Sequence, residues 1–118
     1  MTRGRGFDAD EIAAIATLAT PVGQRLAERA CPHCGNLSLR TYLHAGARGD
    51  TPLLMSQTWC SPCLRYTGST GPMPAGLHFS DPLDPAHRAA LGVAGLFTEL
   101  DRLWGEGALP QTLLFDGH

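Results

Sequence analysis

Hydrophobic spacing along the chain changes period twice, from helical to alternating and back to helical. Ile12, Ile15 and Leu18, with alanines between them, recur at helical intervals. Asp8 stands at the start of that run with Glu11 three residues on, the arrangement of a capping box, and Phe7 and Ile12 are placed for a hydrophobic staple. The pattern predicts a helix over residues 7–20, ended by the bias of Pro21 against a helical residue before it. Thr20 and Pro21 can cap and open a shorter second helix to about Arg29, with Val22 and Leu26 inward.

From Leu37 the period drops to two: Leu37, Leu39, Thr41 and Leu43 alternate with Ser38, Arg40, Tyr42 and His44, as in a half-buried strand. Residues 45–50 read as a loop by composition. A second strand is expected through Leu53, Met55, Gln57 and Trp59, and a short third over residues 64–70. Closely spaced prolines over residues 71–84 predict a stiff, extended connection wrapped on the sheet. Asp84 and Pro85 then cap and open a last helix to about Trp104, with Val93, Leu96, Phe97, Leu100, Leu103 and Trp104 on one face and Gly105 as its stop. Gly92 and Gly95 inside it cost about 1 kcal/mol each relative to alanine, which predicts fraying or a close backbone neighbour. The tail after residue 105 is expected to lie on the surface.

These elements amount to one α+β domain spanning residues 1–118, made of a helical lead-in, a small antiparallel sheet over residues 30–70, a proline-rich wrap, a helix and a tail. A 12.6 kDa chain buries an adequate but not generous core, so a cross-link would help it fold. The formal charge of −2 argues against a protein devoted to coating nucleic acid. Charge is uneven: residues 1–30 balance, residues 31–79 are net basic, and residues 80–118 carry six acids against two arginines. All nine basic residues are arginine. No apolar run reaches the length of a membrane span, the acidic residues at 8, 10 and 11 interrupt any signal-peptide core, and a cytoplasmic location is the expectation.

All four cysteines fall in two short spacings, Cys31-Pro32-His33-Cys34 and Cys60-Ser61-Pro62-Cys63. Two residues between cysteines let a tight turn aim both sulfurs at one point, and two such turns complete a tetrahedron. Structural Zn2+ is therefore the expected ligand of Cys31, Cys34, Cys60 and Cys63. Iron, held as in a rubredoxin, is the alternative. A redox pair is disfavoured because Cys31 follows a helix and precedes a strand, the reverse of the thioredoxin order. His33, inside the first turn, is expected to face solvent because the coordination is complete without it. His44, His78 and His87 are scattered and expected to be surface or core residues.

Cysteine pairs joined by alternating strands resemble a four-cysteine zinc ribbon over about residues 30–70. The resemblance is one of fold and implies no single function. Gly35 after Cys34 matches the usual knuckle, whereas Leu64 after Cys63 departs from it. Four thiolates leave no open metal position, and no phosphate loop, nucleophile elbow or histidine-rich motif occurs, so the chain is expected not to be an enzyme. The favoured reading is a zinc-stabilised module binding a protein partner, in its sharper form a small bacterial immunity or antitoxin-like protein that blocks a toxin. The alternative is nucleic-acid binding by Arg40, Tyr42, Arg65 and Tyr66, with Trp59 nearby.

Overall fold

The computed structural model describes residues 5–16 and 28–115. The fold is mixed α+β. Three long antiparallel strands, β3 (Leu37–Arg48), β4 (Thr51–Cys60) and β5 (Arg65–Pro72), make the body of a sheet. Two short strands flank it: β1 (Arg5–Gly6) runs parallel to β5, and β2 (Arg29–Ala30) runs antiparallel to β3. The order across the sheet is β1-β5-β4-β3-β2. The first helix is α1 (Ala9–Ala16), and the last is α2 (Pro85–Glu106). A two-strand ribbon pairs β6 (Leu77–His78) with β7 (Leu114–Phe115). Among the described residues no helix is long and apolar enough to cross a membrane.

Alternation in β3 and β4 sends Tyr42 and Trp59 to the α2 side, where they meet Leu100 and Leu103 of α2 together with Leu83 and Leu109. Leu96, Phe97 and Trp104 of α2 and Tyr66 of β5 close over this core. Trp59 meets Trp104 edge to face at 6.2 Å and lies 5.7 Å from Phe97, geometries that favour aromatic pairs. Phe7, Leu39, Cys31 and Cys60 form a second cluster at one end of the sheet. Phe7 thus commits its ring to the cysteines while Ile12, its expected staple partner, is 42% exposed.

The capping box is present: Asp8 N–H donates to Glu11 at 2.9 Å and Glu11 N–H donates to Asp8 at 2.8 Å. Residues 17–27, and with them the end of the first helix and most of the second, lie outside the described residues. Where that second helix was expected to finish, Arg29 and Ala30 instead pair with Leu39 and Leu37.

Residues 45–48 belong to β3 rather than a loop, and only Gly49 and Asp50 turn the hairpin. Small residues there face Leu53 and Leu54 across the ladder, and a side chain on Gly46 would come within 2.7 Å of the Met55 sulfur. The glycine at 46, part of what looks loop-like, leaves the space Met55 occupies. The tail is likewise structural. Leu109 and Gln111 are fully buried, and the Gln111 amide accepts from Leu43 N–H at 2.9 Å and donates to the carbonyls of Leu43 at 2.7 Å and Ser80 at 2.8 Å. This side chain thereby closes an outer stretch of β3 that β2 is too short to reach.

Asp84 and Pro85 open α2 as expected, and its stop is Gly107, two residues beyond Gly105, in the left-handed conformation. Gly92 breaks the helix at φ 68°, ψ 178°, a region open essentially to glycine alone, and the helical phase shifts there. Val93, expected inward, is consequently 58% exposed. Gly92→Ala should lower stability by about 1–3 kcal/mol in a denaturant titration. Gly105→Ala, whose added carbon meets nothing within 4 Å, should instead gain up to about 1 kcal/mol from helix propensity.

Candidate metal centre

The sheet brings the two cysteine turns to one end. Cys60 ends β4 and pairs with Leu39 on one side and Arg65 on the other, while Cys31 follows β2, which pairs with the start of β3. In the first turn Gly35 N–H donates to the Cys31 carbonyl at 2.8 Å, and Cys31 N–H donates to the Asn36 carbonyl at 2.8 Å. In the second, Leu64 N–H donates to the Ser61 carbonyl at 3.3 Å. Gly35 at φ 77° and Leu64 at φ 58° both take the left-handed conformation. Leu64 therefore keeps the geometry its side chain disfavours. Left-handed backbone costs a residue with a Cβ about 1–2 kcal/mol, so Leu64→Gly should raise stability by about 1 kcal/mol, read as a higher denaturant midpoint with metal content unchanged.

All four sulfurs lie within 4.8 Å of one another. Cys31 and Cys63 sulfurs are 3.7 Å apart, and those of Cys34 and Cys60 are 3.6 Å apart. A disulfide needs about 2.05 Å, whereas sulfurs about 2.3 Å from a central ion stand about 3.8 Å from each other at tetrahedral corners. The spacing fits a metal and not a bond, and four cysteines so placed could hold one ion.

Cys31 and Cys60 are buried, Cys63 is half-buried and Cys34 is at the surface. Burial pushes the Cys31 and Cys63 thiols above their ordinary range. Hydrogen bonding from the Asn36 backbone brings the Cys34 thiol down to about 7. Four thiolates this close repel one another, and a cation among them turns that repulsion into attraction. Donors already face the sulfurs: His33 N–H lies 3.4 Å from Cys31, the Asn36 amide 3.4 Å from Cys34, and the Ser38 hydroxyl 3.0 Å from Cys60.

His33 is no ligand in this arrangement, since its Nδ1 lies 2.6 Å from Glu11 Oε2. Glu11 thus does two jobs, capping α1 and tying it to the first cysteine turn. Hydrogen bonding from Asp8 N–H, followed by His33, holds its carboxyl below the usual range.

The second turn is tied to α2 through Asp101. Its carboxylate accepts from Trp59 Nε1 at 2.9 Å, from Arg40 Nη1 at 2.9 Å and from the Ser61 hydroxyl. Arg40 also donates to Glu28 at 3.0 Å and stacks over Trp104 at 4.9 Å. Tyr42 and Trp59 are buried, Tyr66 packs 5.2 Å from Phe97, and Arg65 reaches the Gly6 carbonyl at 3.4 Å. The rings that base stacking would need are core residues beneath α2.

A second polar group lies under the first turn of α2. The Tyr42 hydroxyl donates to Asp81 at 2.6 Å, and Arg88 reaches both the Tyr42 oxygen at 3.2 Å and Asp81 at 3.1 Å. Burial, then Asp81, raises the Tyr42 hydroxyl pKa well above its ordinary value. His44 stacks on Tyr42 at 5.4 Å and is buried. Burial, then the Arg88 charge, lowers its pKa below the usual 6.5 against a smaller opposing pull from Asp81. The unfolded chain therefore takes up a proton at His44 that the folded chain refuses. Stability from this group is complete above about pH 6.5 and lost as the pH falls from there through the folded value. A His44→Gln variant should show a shallower acid-side loss in denaturant midpoint than the parent, and the difference between the two curves separates the imidazole from thiol protonation. His78 lies in β6, and His87 lies in the first turn of α2, where its N–H donates to Asp84 at 3.3 Å.

Comparison with protein-family models, with curated proteins and with solved structures finds no match.

Proposed function

We propose that Cys31, Cys34, Cys60 and Cys63 hold one structural Zn2+ in a ribbon-like module, and that the module acts without catalysis by presenting a surface to a protein partner. The observation that carries the reading is the four-sulfur set at tetrahedral spacing, with sulfurs 3.6 and 3.7 Å apart, which would fill all four positions around one ion. Zinc is preferred to iron because the site needs no redox change to serve as a cross-link between the two turns, and borderline-soft Zn2+ suits four thiolates.

The sharper immunity reading needs an acidic face, and six acids fall in residues 80–118. Much of that charge is spent internally: Asp101 on Arg40, Asp81 on Arg88, and Glu99 and Glu106 on Arg102. Recognition of a partner then rests more on shape and exposed apolar groups near the site, such as Leu37 and Leu64, than on an acidic field. Elemental analysis of the folded chain should give one zinc per chain, and tagged, metal-loaded protein should retain a stoichiometric protein partner that a chelator releases. Iron in place of zinc, or nucleic acid as the retained species, would overturn it.

A further inference from the structure

The two long edges of the sheet are treated differently by the chain. The outer edge of β3 is closed by β2 at Leu37 and Leu39 and by the Gln111 amide at Leu43. Among the described residues, the outer edge of β5 is paired only with β1, at Arg65 and Tyr66. Beyond it Thr67, Gly68, Ser69, Thr70, Gly71 and Pro72 run on, with Gly68, Ser69, Thr70 and Pro72 exposed and with no charged side chain among them. Proteins ordinarily blunt such an edge with charge, a bulge or a covering segment.

Backbone groups alternate in direction along a strand. Phe7 N–H donates to the Tyr66 carbonyl at 2.9 Å, so Tyr66 faces outward and Gly68, Thr70 and Pro72 do as well. Thr67, Ser69 and Gly71 face β4. The outward set offers the N–H and C=O of Gly68 and Thr70 and the C=O of Pro72, which has no N–H.

We infer that a second copy of this chain pairs here, β5 to β5, antiparallel about a two-fold axis at Ser69. This register sets Gly68 opposite Thr70 of the other copy, and Thr70 opposite Gly68, so four backbone hydrogen bonds form. It also sets donorless Pro72 opposite Tyr66, whose carbonyl Phe7 already uses. The strand is complementary to itself in this register, and β1 of each copy ends where the other copy's pairing ends. The symmetry needed is that of the commonest homodimers. The sheets of the two copies join into one, with the cysteine turns at opposite ends. Contact through one edge is small beside the roughly 1,600 Å² of a standard interface, so the dimer is expected to dissociate on dilution. Its formation does not depend on what partner the module presents its surface to.

Sedimentation of the metal-loaded full chain over rising concentration should show mass moving from 12.6 kDa toward twice that value. Thr70→Pro removes one outward donor and leaves the β4 ladder intact, as proline is tolerated on an edge. It should abolish the dimer with bound metal unchanged. The Cα atoms of the two Ser69 residues would stand about 4.5 Å apart, within disulfide reach. Metal-loaded Ser69→Cys should therefore cross-link to itself under mild oxidation. Thr67→Cys and Gly71→Cys should each cross-link poorly alone and readily when mixed, because those positions face each other. A chain that stays monomeric throughout, a dimer indifferent to Thr70→Pro, or equal cross-linking at all three positions would overturn the inference.

Discussion

Cys60→Ser is expected to leave the chain with no stoichiometric metal and no cooperative unfolding transition. Structural zinc of this kind contributes on the order of 10 kcal/mol to folding, comparable to the whole stability of a small domain at about 5–15 kcal/mol. The effect should be larger at Cys60 than at Cys34, because the buried Cys60 sulfur belongs both to the four-sulfur set and to the cluster with Phe7, Cys31 and Leu39. Serine there removes a ligand and sets a hydroxyl against apolar walls. Cys34 lies at the surface, where water can fill a vacated corner. Cys34→Ser should therefore keep weakened metal binding and a lowered midpoint. Elemental analysis and denaturant titration check both, and a fully folded, metal-free Cys60→Ser chain would remove the cross-link from the account of this fold.

Asp101→Ala should cost about 2–4 kcal/mol with metal content retained, the largest single-residue effect expected outside the cysteines. Three donors lose their acceptor: the buried Trp59 indole, the Arg40 guanidinium and the Ser61 hydroxyl of the second cysteine turn. The carboxylate is about a third exposed, which keeps the figure below that of a fully buried charge. Asp101→Asn keeps an acceptor for Trp59 and should lose less. Tryptophan fluorescence should report the change directly, since both tryptophans, Trp59 and Trp104, border the affected contacts.

How much of this could be read from the chain depends on whether a residue's partner is local. Each cysteine turn carries its own two sulfurs within four residues, so the repeated spacing pointed to one tetrahedral set, although the sulfurs 3.6 and 3.7 Å apart come from different turns. The Asp8 and Glu11 box and the Asp84-Pro85 opening of α2 were legible for the same reason. Asp101 was not, because its three donors come from β3, β4 and the second turn. A signal existed: Asp101 falls four residues after Phe97 and three before Trp104, inside the stripe that faces the sheet. A carboxylate there needs a buried partner. Gln111 gave a fainter form of the same sign, an amide set in the run from Leu109 to Phe115. The length of β3 was hidden because Gly46 is bare where Met55 packs across the ladder, and with Ala45 and Ala47 beside it the smallness alone looks like a turn.

The hairpin of β3 and β4 is most deeply buried at its cysteine end. Its residues are buried from Leu39 to His44 and from Thr58 to Cys60, apart from half-buried Arg40, and exposure rises steadily toward Gly49 and Asp50 at the tip. At about 3.3 Å per residue the beam is nearly 40 Å long, clamped at its root by the cysteine turns and Asp101, and flanked by β5 as far as the Pro52 carbonyl, which accepts from Met73 N–H at 3.2 Å. Amide hydrogens should exchange fastest at the tip and slowest at the root, and a load applied at Gly49 should flex the outer half before it strains the clamp.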